Sequence, residues 1–204
     1  MNKQQLLERL MARCSRAEYS TGQVAAYARR WLDKETVGSA DAIGCTEAVG
    51  NSREMVVAEI VGRLVREKFV DDRRFAAAFV RDKLKFNGWG KQKIVYKMRS
   101  LGVDNAIISE AIAENYYSVE DGRDASQVVE KLVRDKWEAL CRRDARKMAM
   151  EARKMGRDAS NMGRWTGDCS EMQLKQARKA AVLRFAMGRG FDYEEILKCL
   201  NNIV

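Results

Sequence analysis

Hydrophobic positions recur along this chain at three- and four-residue spacing, the period of helices with one buried face. Val24, Tyr27, Ala28, Trp31 and Leu32 follow the capping-box pattern Ser20-x-x-Gln23. Val56, Val57, Ile60, Val61 and Leu64 form the next stripe, with Asn51 or Ser52 as its cap. Ile94, Val95, Met98 and Leu101 predict a helix opened by Gly90 and closed by Gly102 in a left-handed turn. Asp104 caps a helix carrying Ile107, Ile108, Ala111 and Ile112. Val128, Val129, Leu132, Val133 and Leu140 mark a long helix that continues, more polar, through an arginine-rich segment. Ala181, Val182 and Phe185 precede Gly190, and Asp192 starts a terminal helix bearing Ile196, Leu197 and Leu200. Two stretches break the pattern, TVGSADAIGCTEAVGNS (36–52) and MGRDASNMGRWTGDCSEM (155–172). Both are rich in glycine and small residues and read as loops or insertions, with Trp165 available to anchor the second.

A repeat runs through these signals. An apolar residue precedes an aspartate, with further apolar residues four and eight positions after it. The three copies are Val70-Asp71 with Phe75 and Phe79, Val103-Asp104 with Ile108 and Ile112, and Phe191-Asp192 with Ile196 and Leu200. The aspartate accepts from free backbone N–H groups at a helix start, and the spaced apolar residues form the buried stripe. Helix, tight turn and helix repeated in this way predict tandem helical modules stacked along one axis, with insertions between copies.

Composition sharpens the helical reading. The 204 residues contain no proline, where average usage of about 5% would give roughly ten. The longest apolar run, Phe75 to Val80, is far short of the roughly 20 residues of a membrane span. The start, MNKQQLLERLMARC, places charge inside its apolar pattern, unlike a signal peptide. Five scattered cysteines (Cys14, Cys45, Cys141, Cys169, Cys199), with no C-x-x-C pair and no histidine, argue against zinc and for a reducing cytoplasm. Most of them are expected to act as small core residues. Lacking histidine and any phosphate-binding, nucleophile-elbow or EF-hand motif, the sequence predicts no enzyme, no cofactor, no metal site and no small-molecule substrate.

Charge is segregated. The net charge is +9, yet Arg81–Arg99 holds seven Lys or Arg against one Asp, and Cys141–Arg189 holds thirteen against five acids. Such segments are the footprint of a polyanionic or acidic partner, with solvated helical faces as the plainer alternative. The first candidate set is Arg81, Lys83, Lys85, Lys91, Lys93, Lys97 and Arg99. The second is Arg142, Arg143, Arg146, Lys147, Arg153, Lys154 and Arg157. Trp89, between Gly88 and Gly90, is expected to pack between modules, with stacking on a partner as the alternative.

The stretch EKFVDDRRFAAAFVRDK concentrates acids, bases and aromatics. Adjacent Asp71 and Asp72 point about 100° apart on a helix and cannot act as a facing pair, so capping is the expected role. Arg74 is placed to reach back to Asp71, and Phe75 and Phe79 are expected in the core.

This stretch, followed by NGWGKQKIVYKMRSLGVDNAIISEAI, resembles the RecX family. The residues carrying the resemblance are Phe69, Val70, Asp71, Asp72, Arg74, Phe75, Ala76, Phe79, Val80, Arg81, Gly90, Ile94, Met98, Gly102 and Val103. It extends more weakly to GQVAAYARRW and LRFAMGRGFDYEEILKCL, and departs where Lys68 replaces a common glycine and where 36–52 and the basic insertion around 141–172 lengthen the chain. The resemblance implies an all-α, elongated array of three three-helix modules, about nine helices without a β-sheet, at 1–70, 71–118 and 119–204. It also implies a non-enzymatic cytoplasmic protein that lodges in the groove of the RecA–single-stranded-DNA filament. There such proteins usually restrain ATPase, strand-exchange and coprotease activities. Because helix, glycine turn and helix also describe a helix-turn-helix reader, direct DNA or RNA binding is the competing expectation.

Overall fold

A computed structural model describes residues 3–36, 46–117, 124–154 and 168–203. Among the described residues there are nine helices and no strand. They are α1 (Lys3–Cys14), α2 (Thr21–Thr36), α3 (Thr46–Arg66), α4 (Asp72–Lys85), α5 (Lys91–Ser100), α6 (Asn105–Asn115), α7 (Ala125–Lys154), α8 (Asp168–Met187) and α9 (Tyr193–Ile203). None of them is long and apolar enough to cross a membrane.

The chain divides into two compact units. The first comprises residues 1–82 and 95–116, the second 83–94 and 117–204. In the first, α1 and α2 pack on α3 around Leu6, Leu10, Val24, Ala28, Val57, Ile60 and Leu64. In the second, α7, α8 and α9 pack on one another, with Val129, Val133, Val182, Ala186, Ile196 and Leu200 buried. Helix α1 was not among the elements expected, although Leu6, Leu7, Leu10 and Cys14 place its apolar face at helical spacing.

Several expectations change. Residues 46–52 continue α3 rather than forming a loop, so the helix starts at Thr46 and neither Asn51 nor Ser52 is its cap. Residues 168–172 likewise open α8. In both stretches the small polar residues lie within longer helices whose later turns carry the apolar stripe, and tertiary packing outweighs weak local propensity. Residues 37–45 and 155–167, including Cys45, Arg157 and Trp165, lie outside the described residues, as does the side chain of Cys169. Tyr27 is not core: it is 38% exposed, with the Arg13 guanidinium 4.8 Å from its ring. Phe79 is half-buried against buried Phe75, their ring centroids 5.5 Å apart. Cys14 is buried and Cys141 and Cys199 half-buried, all as free thiols. Burial pushes the Cys14 and Cys199 thiols up, away from reactive thiolate.

The three repeat copies share their helix endings. Lys68, Gly102 and Gly190 all have positive φ, at 59°, 77° and 88°. In each case the next N–H bonds back five residues: Phe69 to Leu64, Val103 to Met98 and Phe191 to Ala186. This is the Schellman closure, which glycine enters without penalty and lysine does not. Lys68 therefore does the work of the glycine it replaces. Lys68→Gly is expected to stabilise the protein by about 0.5–1 kcal/mol, seen as a melting temperature about 2 °C higher. A lower melting temperature would contradict this reading of the turn.

Candidate partner and nucleic-acid interface

The adjacent aspartates cap two different helices. Asp71 Oδ1 accepts from the backbone N–H groups of Arg73 at 2.9 Å and Arg74 at 3.2 Å, closing the start of its own helix, α4. Asp72 reaches to the start of α2, where Oδ1 accepts from Thr21 N–H at 2.8 Å and Oδ2 from the Thr21 hydroxyl at 2.7 Å. Arg74 does not turn back to the Asp71 side chain with its guanidinium but pairs with Glu18, Nε to Oε1 at 2.7 Å. With both carboxylates accepting at helix starts, the stretch joins helices.

Asp104 repeats the first role, accepting from Ala106 N–H at 2.7 Å. At α9 the Asp192 carboxylate accepts instead from Gln92 Nε2 at 2.7 Å, while its carbonyl takes the Ile196 N–H. Ser20 and Gln23 form the expected capping box, each side chain accepting from the other's backbone N–H.

One joint appears in both units. In the first, the start of α2 abuts the closing turn of α5: the Ser20 hydroxyl donates to Leu101 O at 2.7 Å, and Gly22 lies against Leu101 and Gly102. In the second, the start of α5 abuts the closing turn of α8: Gly90 N–H donates to Arg189 O at 2.8 Å and Gln92 N–H to Gly190 O at 3.1 Å. Each joint pairs spare N–H or hydroxyl donors at a positive helix start with spare carbonyls at a negative helix end. It also bears on the helix-turn-helix alternative. A recognition helix reads bases with its N-terminal residues, whereas the start of α5 is occupied by the α8–α9 turn.

The structure disperses the first basic set. In the first unit, Arg81, Lys97 and Arg99 are exposed, and Arg99 Nε donates to Asn105 Oδ1 at 2.8 Å. In the second, Trp89 is half-buried beneath two ammonium groups, Lys93 at 4.6 Å and Lys83 at 5.6 Å from the ring centroid. Lys91 stands 5.9 Å over Tyr117, and Lys85 is exposed at the end of α4. Trp89 is thus a platform for cations of its own segment.

The second set is gathered by α7. Arg142, Arg143, Arg146 and Lys147 line a shallow hollow of about 410 Å³ with Ala139 and Met150. Arg153 is exposed, and Lys154 ends the helix. Part of this charge is structural. Asp144 is buried, accepting from Arg178 Nε of α8 at 2.8 Å and from Arg143 at 3.2 Å. The Arg178 hydrogen bond, followed by that of Arg143, holds the Asp144 carboxyl below its ordinary range against the opposing effect of burial. Sequence reasoning missed this pair because Asp144 interrupts a run of basic residues, and a single acid there is indistinguishable from surface charge.

Cations outside both sets complete the second unit. Lys136 and Arg189 lie 4.7 and 4.8 Å from the Phe185 ring. Among the described residues no group of three Cys, Asp or Glu is placed to hold a metal ion.

Comparison with known proteins places this geometry. A family profile described as RecX, second three-helix domain, matches residues 71–112, the span of the Asp71 cap and most of α4–α6. Regulatory protein RecX of Bacillus subtilis (strain 168) is 39% identical over 80 residues, 39% of this chain and 30% of that protein. Regulatory protein RecX of Mycobacterium sp. (strain KMS) is 34% identical over 114 residues, 56% of this chain and 59% of that protein. The matched segments therefore span from under a third to about three fifths of these relatives. The crystal structure of RecX from Lactobacillus salivarius superposes with a TM-score of 0.59 over 98% of this chain and 96% of that one, at 13% identity, a likeness of fold. Residues 71–112 thus match the second three-helix domain of RecX, and the chain is similar in sequence to regulatory RecX proteins and in fold to a solved RecX structure.

Proposed function

We propose that this protein is a non-enzymatic, cytoplasmic regulator that binds the RecA–single-stranded-DNA filament and restrains its ATPase, strand-exchange and coprotease activities. The observation that carries this reading is the match of the Asp71–Ile112 segment to the RecX domain, in a chain whose charge is concentrated in two basic segments. Asp71, Asp72 and Asp104 of that domain serve as helix caps, which fits a domain whose chemistry lies with a partner. The reading is of three modules, at 1–70, 71–118 and 119–204. Support comes from the mutual packing of α1 and α2 with α3, that of α7–α9, and the recurrence of one glycine joint. Exposed cations at Lys97 and Arg99, and at Arg146 and Lys147, would meet acidic filament surface or phosphates.

Binding of labelled protein to RecA filaments and to bare single-stranded DNA tests this. Reversing charge at Lys97 and Arg99, or at Arg146 and Lys147, is expected to weaken filament binding about tenfold and to flatten its salt dependence, with melting unchanged. Equal affinity for bare DNA and filaments would contradict a filament-specific role.

A further inference from the structure

A cavity of about 650 Å³ lies within the second unit. It is bounded by the α4–α5 turn, the first half of α7, and Phe185 and Arg189 at the end of α8. This is the size range of ligand sites. Its charged lining is Lys85, Lys131, Lys136 and Arg189 against the single acid Asp135. At its lip stands Phe86, 76% exposed. The backbone forces that exposure: α4 ends at Lys85, and Gly88 and Trp89 bond back to Leu84 and Lys83, turning Phe86 outward. Gly88, at φ 57°, keeps the cleft open, since a side chain there would press on Leu132 and the Arg189 guanidinium. Arg189 is fixed in place, donating to Asn87 O at 2.9 Å.

We infer that this cleft seats a short stretch of single-stranded nucleic acid, with a base stacked on Phe86 and adjacent phosphates on Lys131, Lys136 and Arg189. Two features favour a nucleic-acid strand over an acidic protein segment. Stacking needs one open aromatic face and no pocket in the partner, which is how Phe86 is presented. Phe185, the other aromatic in the lining, already carries Lys136 and Arg189, so its role is to hold the cations that meet phosphate. The assignment rests on the filament reading for its setting and gives that filament's DNA one place of contact.

The test uses the full chain and a fluorescein-labelled oligothymidylate, without RecA, by anisotropy across a salt series. Phe86→Ala is expected to weaken binding about tenfold, from the loss of one base stack. Phe86→Leu, which keeps the apolar bulk without the ring, should fail to rescue it. Lys131→Ala with Lys136→Ala should lower the salt slope by about 1.4, from two lost phosphate contacts at about 0.7 each. Circular dichroism checks that each variant is folded. Wild-type binding by Phe86→Ala, or an unchanged salt slope, overturns the inference. So does labelled polyglutamate binding that depends on Phe86 while oligothymidylate binding does not, which would reassign the cleft to an acidic protein. If the variants lose oligonucleotide binding while the wild type leaves RecA ATPase unchanged, the cleft stands and the regulator reading falls. If RecA ATPase is restrained and oligonucleotide binding ignores the variants, the regulator stands and the cleft falls.

Discussion

Gly90→Ala is expected to lower the melting temperature by about 10 °C, a loss of roughly 3 kcal/mol or more for a chain of this size. A Cβ at Gly90 would lie well inside 3.0 Å of the Gly190 carbonyl and the Phe191 nitrogen. All of these are backbone atoms, held by the hydrogen bonds from Gly90 to Arg189 and from Gln92 to Gly190. No side chain can swing aside, so the joint must open. Gly22→Ala should behave alike in the first unit, where the obstacle is Leu101 O and the Gly102 backbone. Gly62→Ala is the contrast: nothing lies within 4 Å of its would-be Cβ, and α3 should gain about 0.5–1 kcal/mol from the better helix former. Differential scanning calorimetry of the three variants decides it. If Gly90→Ala melts with the wild type, the joint is not a structural contact.

Asp144→Ala should cost about 2–3 kcal/mol, or about 5–10 °C in melting temperature, by leaving the Arg178 guanidinium largely buried and unpaired between α7 and α8. Arg178 is only 17% exposed, whereas Arg143, at 59%, returns to water at little cost. The pH dependence has a definite sign. The folded carboxyl is depressed below its unfolded value of about 3.9, so its contribution is complete above that pH and is lost as pH falls through the folded value. The gap between wild type and variant should therefore be constant near neutrality and narrow below about pH 4. A gap that widens in acid would contradict the pairing.

The sequence carried the helices because their apolar stripes are periodic, and it carried the caps because Asp71 and Asp104 act within their own helices. Asp72 was legible only as an acid near a helix start. Its bond to Thr21 joins residues 51 apart, and no local pattern encodes it. Gly22 and Gly90 have the same character, since each is required by a turn about 80 or 100 residues away in the chain. Of the candidate site, the charge runs were visible but their sorting was not. Lys83 and Lys93 turn onto Trp89 and Arg143 onto Asp144, while Lys131, Lys136 and Phe86 matter through a cleft that only packing creates.

The most direct test of the central claim is ATP hydrolysis by RecA on single-stranded DNA with this protein added well below RecA in molar amount. The account predicts that hydrolysis falls and that the filaments lose activity at that low ratio, because one bound regulator acts on many subunits. Unchanged hydrolysis and unchanged filament stability at saturating protein would contradict it.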